Sequence, residues 1–229
     1  MAISTVDGIV SALGNNSSRI VIDKASLLNA TAGGMHSLWR ATGFPTQAAI
    51  PTTSALCTKA LTGAIGFNNQ TNPSTSYLSY AFATSSNNAT TIEIHDRIAH
   101  MGGLNLTLTT SQTVSIDLAT LAVPMARIGV TNYSDVQWWL EVYSDGGATA
   151  SNATINVTYD DDSTGNLSVV AVGGTIRNSR MIPLLPAVAG KFIKGINTVT
   201  LSASTTVAGN FGFTATRIRA NLPLNIANK

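Results

Sequence analysis

The densest concentration of chemically able side chains is Glu93-Ile94-His95-Asp96-Arg97-Ile98-Ala99-His100, which holds two of the three histidines and two of the eleven acids. On a helix, Asp96 and His100 stand four apart and share a face. There they can bind a metal or act as an acid and a base, with Arg97 placed for an anion. The flanking residues argue for another geometry. Thr91, Ile92 and Ile94 are β-branched, stiff at χ1 and suited to a strand. Gly102-Gly103 is expected to close that strand in a turn, leaving His95 and His100 apart at the end of the element. A catalytic zinc usually takes three protein ligands, and the remaining histidine, His36, is remote in sequence. The segment is therefore expected to be a structural polar cluster, with Asp96 paired to Arg97 or a neighbour. No catalytic or metal-ligating residue is assigned, and no cofactor is expected.

A second oxygen-rich run, Asp160-Asp161-Asp162-Ser163-Thr164-Gly165-Asn166, opens like a calcium loop, with oxygen side chains at alternate positions and a glycine for the turn. Its twelfth place, where a bidentate acid belongs, is Ala171, so it is not an EF-hand. A solvated hairpin tip is expected, with a weaker surface calcium site as the alternative. Nucleophile elbows of the Gly-x-Ser-x-Gly kind and phosphate-binding glycine loops are missing, and Glu93 and Glu141, the only glutamates, have nothing in sequence to bring them together. Cys57 is the single cysteine, which rules out an intrachain disulfide and a cysteine-based zinc site and suits a small buried apolar side chain. An enzyme is not expected.

The elements that must carry these residues read as mainly β. Ser4 or Thr5 can cap a short helix whose Val6, Ile9, Val10 and Leu13 share one face, with Gly14 closing it. A turn follows at Asn15–Ser18, then a strand candidate at Ile20–Ile22. From Met35 to about Pro73 prolines and glycines defeat any long helix, although Ser54–Leu61 can hold a short one, and the stretch reads as an extended arm. Ordering such an arm is entropically costly unless it lies on its own body or on a neighbouring chain.

After Tyr77 the pattern turns to period two. Thr113–Leu118, Thr198–Ala203 and Asn210–Ala215 each alternate, the last with Phe211, Phe213 and Ala215 on one side. Val136–Tyr143 is a further strand, and Ala153–Tyr159 and Leu167–Val172 form a hairpin around the aspartate run. Many short strands between Gly, Asn and Asp turns predict an antiparallel β-sandwich or jelly roll, with residues 1–76 as an arm carrying a short helix and residues 77–229 as the sandwich.

Trp138-Trp139 falls within one of these strands, so one indole is expected to face inward and the other outward. An outward ring offers a partner surface or, with Tyr133, Tyr143 and Trp39, a sugar platform; if both sheet faces are covered, both rings are core.

Composition narrows the setting. Only 10% of the 229 residues are charged against 44% hydrophobic, so the polar surface must come from Ser, Thr, Asn and Gly. A net charge of +2 with scattered basic residues leaves no footprint for nucleic acid. The most apolar stretch, Met181–Val188, is broken by Pro183 and Pro186 and is far shorter than the ~20 residues a spanning helix needs, so no membrane is expected. Met1–Leu13 carries Asp7 and lacks the basic and apolar blocks of a signal peptide, which suggests synthesis in the cytoplasm.

Three phrases in linear order, His36-Ser37-Leu38-Trp39-Arg40-Ala41-Thr42-Gly43, His95 to Leu104 and Asp135 to Glu141, with Gly190 to Val199 late in the chain, resemble structural proteins of tailed-bacteriophage virions. Within that group the likeness is greatest to capsid decoration, or cement, proteins. It implies a non-enzymatic subunit on the outside of the capsid that binds the major capsid protein, joins neighbouring shell subunits and forms a homo-oligomer, often a trimer. On that reading the arm spreads over neighbours, and the partner-contact residues are Ile9 and Leu13 on the helix, Trp39 and Phe44 in the arm, and Trp138 and Trp139. The alternative is a glycan- or receptor-binding module of the virion, using exposed aromatics on a polar β surface.

Overall fold

The period-two segments pair into two antiparallel sheets packed face to face, as a mainly β chain with alternating inward positions requires. The structure, a computed structural model, describes residues 3–14, 19–27, 30–66, 81–84 and 90–224. The expected turn at Asn15–Ser18 and the arm–sandwich boundary at residues 76 and 77 lie outside the described residues.

The first sheet orders β10 (Val170–Ala171), β8 (Asn152–Tyr159), β12 (Ile193–Leu201) and β6 (Gln112–Asp117), with β9 (Thr164–Asn166) also on β8. The second orders β2 (Met35–His36), β11 (Arg180–Leu184), β7 (Gln137–Val142), β13 (Asn210–Leu224), β5 (Thr90–Asn105) and β4 (Ala55–Leu56). Between them the core collects Val114, Ile116, Ile155, Val157, Ile196 and Val199 from the first sheet and Trp138, Leu140, Val142, Phe211, Phe213 and Ala215 from the second. The alternation predicted for β6, β8 and the start of β13 is the one that fills this core.

Several elements differ from expectation. The run Ile20–Ile22 is exposed, and pairing begins one residue later, where β1 (Asp23–Lys24) joins β3 (Gly43–Phe44). There the Lys24 ammonium donates to the Ala41 carbonyl at 3.0 Å, fixing the small sheet through a side chain. Ser54–Leu61 forms no helix; β4 lies there because its backbone pairs with Ala99 and His100 of β5. Leu167–Val172 is divided, with β9 starting inside the expected polar turn.

The expected Gly102-Gly103 turn lies inside β5. A Cβ on Gly102 would stand 2.5 Å from the Pro51 carbonyl oxygen and 2.8 Å from the Tyr143 ring, and Gly103 takes φ +80° where the register against β13 shifts. Both glycines allow a strand to pass beneath a covering segment rather than to turn.

Helix α1 (Val6–Gly14) forms as predicted, with the Thr5 hydroxyl accepting the Gly8 N–H at 3.0 Å. None of its residues is buried. Helix α2 (Met125–Ile128) is a single turn that brings Arg127 to β5. No helix among the described residues is long and apolar enough to cross a membrane.

The arm has two fates. Residues 37–54 run across the outer face of the second sheet between β2 on one edge and β4 on the other, forming a strap that lies on its own body. Strap residues Ala41 and Ala48, and Cys57 just beyond β4, are buried. The segment before the strap leaves Ile3, Val6, Ile9, Val10, Leu13 and Ile20–Ile22 exposed.

Candidate functional site

Strand alternation in β5 decides what the Glu93–His100 segment can do. Glu93, His95 and Arg97 point to the outer face, and Asp96 to the other. Between Arg97 and Ala99 the register against β13 shifts, leaving Ile98 as an extra residue, so His100 returns to the same face as Arg97. The helical geometry that would have joined Asp96 to His100 is absent.

Asp96 does not pair with Arg97. Its carboxylate accepts two hydrogen bonds from Arg127, at 2.6 and 3.1 Å, and one from Arg219 at 3.1 Å. Burial alone would raise the Asp96 acid, but these two guanidiniums hold it below its usual range. Arg127 also donates to the Cys57 and Arg97 carbonyls, tying the end of the strap to β5.

Under the strap lies an ion pair, Arg97 Nη2 to Glu141 Oε2 at 2.7 Å, with Glu141 only 1% exposed. Arg97 Nη2 also donates to the Tyr143 and Thr214 hydroxyls at 3.0 Å each, and its Nε donates to His100 Nδ1 at 3.0 Å. Both hydroxyls donate onward to Glu141, Thr214 at 2.6 Å and Tyr143 at 3.2 Å. The strap contributes Ser37, bonded to Glu141, and Trp39, whose ring lies 4.8 Å from the Arg97 guanidinium carbon and meets His100 edge-on at 6.3 Å. Arg97 Nη2 and Nε thus both meet acceptors, and the guanidinium is paired with a carboxylate, as a buried charge requires.

Burial would raise Glu141, but the adjacent Arg97 cation outweighs it and holds the carboxyl down; the same pairing drives Arg97 further up. Burial and then the Arg97 cation push His100 down to about 4, so its imidazole is neutral and accepts at Nδ1. Burial raises the Tyr143 phenol and pushes the Cys57 thiol up to about 11, which leaves Cys57 a thiol rather than a nucleophile at neutral pH. The charged groups of this cluster are thus engaged by partners inside the fold.

A second line of contacts was not legible beforehand. Glu93 Oε2 meets His95 Nε2 at 2.8 Å, His95 Nδ1 meets Thr216 Oγ1 at 3.0 Å, and the Trp139 indole N–H donates to the same Thr216 oxygen at 2.8 Å. Acid, imidazole and hydroxyl in this order form the arrangement of a nucleophile relay. Thr216 is 3% exposed and its oxygen is already engaged, so the line serves as a cross-strand polar ladder. The signal that could have pointed to it is the second phase of β13: Thr214 and Thr216 alternate with Phe213 and Ala215.

The two glutamates share a face, but each has its own partner, Glu93 the His95 ring and Glu141 the Arg97 guanidinium. His36 lies on the strap edge, accepting the Thr31 N–H through Nε2, and the described residues contain no cluster of three or more metal-ligating side chains.

At the hairpin tip Asp161 pairs with Lys191 at 2.8 Å, Asp162 with Lys194, and Asp160 accepts the Phe192 N–H at 2.9 Å. Lysines occupy the carboxylates that the calcium alternative needed free.

Of the two readings of the tryptophan pair, the one with both sheet faces covered is the one found, and Trp138 and Trp139 leave the partner-contact set. The rings do face opposite sides, but both are covered: Trp138 is 2% exposed and donates to the Ile193 carbonyl at 2.8 Å, and Trp139 is 6% exposed beneath His95 and Thr216. Neither ring face is open to a partner or a sugar. Trp39 is committed to Arg97, which leaves Ile9, Leu13 and Phe44 as the exposed members of the contact set.

No protein-family model matches the chain, and neither a curated protein nor a solved structure matches it.

Proposed function

We propose that the chain is a non-enzymatic structural subunit of a tailed-bacteriophage virion, made in the host cytoplasm and bound to the outside of the capsid, where it cements neighbouring copies of the major capsid protein. One observation carries the reading: the arm divides into a strap held on its own body and a preceding segment whose Val6, Ile9, Val10 and Leu13 are exposed, as a subunit that grips neighbours requires. The polar surface built from Ser, Thr and Asn, and the scarcity of charge, suit contacts made many times over by symmetry. Neither nucleic acid nor membrane is assigned as a partner.

The glycan- or receptor-binding alternative drew on an outward tryptophan, and it loses that support because both indoles are covered. Incubating purified chain with mature shells that lack it should give saturable, stoichiometric gain of mass and a higher temperature of shell disruption. Shells that gain no mass overturn the proposal.

A further inference from the structure

The most apolar stretch of the sequence, Met181–Val188, is only partly used by the core. Its Pro183, Leu185 and Pro186, with Val136, Phe192 and the edge of Trp139, line an open apolar groove of about 260 Å³ at one end of the sandwich, and Leu185 is 72% exposed. Ser134 and Gln137 are shared with an adjoining polar hollow of about 370 Å³ that contains Asp135 and Arg217. Arg217 spends one N–H on Asp135 at 2.8 Å and one on the Ala126 carbonyl at 3.4 Å, which leaves donors of its fork unused. The groove thus has an apolar half and a half ending in a guanidinium.

The same chain carries a matching surface that is left exposed among the described residues. Helix α1 has nine residues, fewer than the ~12–15 an isolated helix needs for even marginal stability in water. It buries none of them, and Val6 is 75% exposed. Val6, Ile9, Val10 and Leu13 form the i, i+3, i+4, i+7 anchor pattern by which a helix enters a groove. The helix has a single charge, Asp7 in its first turn, with no ion partner among the described residues. An acid at one end of an apolar stripe complements an arginine at one end of an apolar groove.

We propose that the groove receives helix α1 of a second copy of this chain, with Val10 and Leu13 against Leu185 and Phe192 and Asp7 towards Arg217. The inference goes beyond the capsid reading and does not require it. The contact is heterologous, one surface on each partner, so it builds a closed ring or an open chain of copies according to the rotation between them.

The test uses the purified full-length chain, without shells, in sedimentation-equilibrium measurements. Wild type should show concentration-dependent assembly. Val10→Asp with Leu13→Asp removes the helix stripe, and Leu185→Asp charges the groove; all three positions are exposed, so folding is checked simply by an unchanged circular dichroism spectrum. Each variant alone should be monomeric. Mixed in equal amounts they should form a one-to-one heterodimer, because one retains the groove and the other the helix. Asp7→Lys should weaken assembly severalfold. A wild type that stays monomeric up to about 1 mM overturns the proposal, as does a Leu185→Asp variant that assembles like wild type. So does a mixture that stays monomeric; helices pairing with one another would instead leave Leu185→Asp assembling like wild type.

Discussion

The outer face of the second sheet and the segment ahead of the strap invert the usual arrangement of a domain. Beneath the strap lie Arg97, Glu141, His100 and Tyr143, shut away from water; on the segment ahead of it lie Val6, Ile9, Val10 and Leu13, open to water. The polar group is tolerated because every charge has a partner: Glu141 accepts from Arg97, Thr214 and Tyr143. The apolar group has no such internal account. A buried polar cluster thus holds the strap to its own body, whereas the segment ahead of it buries none of its apolar side chains among the described residues.

The largest effect should come from breaking the buried pair on one side. Glu141→Ala leaves Arg97 uncompensated and should destabilise the chain by about 3–5 kcal/mol in urea unfolding. Replacing both partners, Arg97→Met with Glu141→Leu, should recover most of that loss, because the desolvation cost then disappears from both. If the double variant is as unstable as the single one, the cluster owes its worth to the hydroxyl network rather than to charge pairing.

Next comes acid. The His100 value in the fold lies below the unfolded value of 6.5, so its contribution is full above about pH 6.5 and is lost as pH falls towards about 4. At 1.36 kcal/mol per unit, the window is worth about 3 kcal/mol. Unfolding measured across pH 4–7 should show this slope, and His100→Asn, which cannot titrate there, should flatten it. A slope unchanged in His100→Asn would assign it to other groups.

The smallest effect belongs to the exposed half of the comparison. Val10→Ser in α1 should change the stability of the isolated chain by no more than about 0.5 kcal/mol, since the position is already in water. A loss above ~1 kcal/mol would mean that α1 is packed against its own body, and the contrast between the two parts of the arm would collapse.

What the sequence made legible follows from how local each signal is. Phe211, Phe213 and Ala215, or Val114 and Ile116, announce an inward face by alternation alone. The Thr5 cap and the α1 stripe are equally local. Thr214 and Thr216 occupy the other phase of the same strand, and there alternation is silent: it says which residues share a face, not whether a segment from elsewhere in the chain covers that face. The cover comes from Ser37, Trp39 and Pro51, far away in sequence, attached by two-residue strands too short to carry a periodic signal. Gly102-Gly103 resembles a turn for the same reason, since a glycine that clears space for a distant strap looks locally like a glycine that makes a turn. Asp96, expected to pair with Arg97 or a neighbour, takes Arg127 and Arg219 instead, which α2 and β13 bring to it from far along the chain.

The position of β13 has a consequence for how the chain is made. This strand lies between β7 and β5 in the middle of the second sheet, yet it follows both in sequence. On the ribosome, β5 and β7 emerge with a gap between them that only β13 can fill, so neither can complete its ladder until synthesis has reached Leu224. Such late, long-range closure slows folding and keeps apolar strands exposed during translation. The face that becomes the outer side of that sheet is assembled only when β13 arrives, and the strap, although synthesised first, has a complete surface to rest on only at the end.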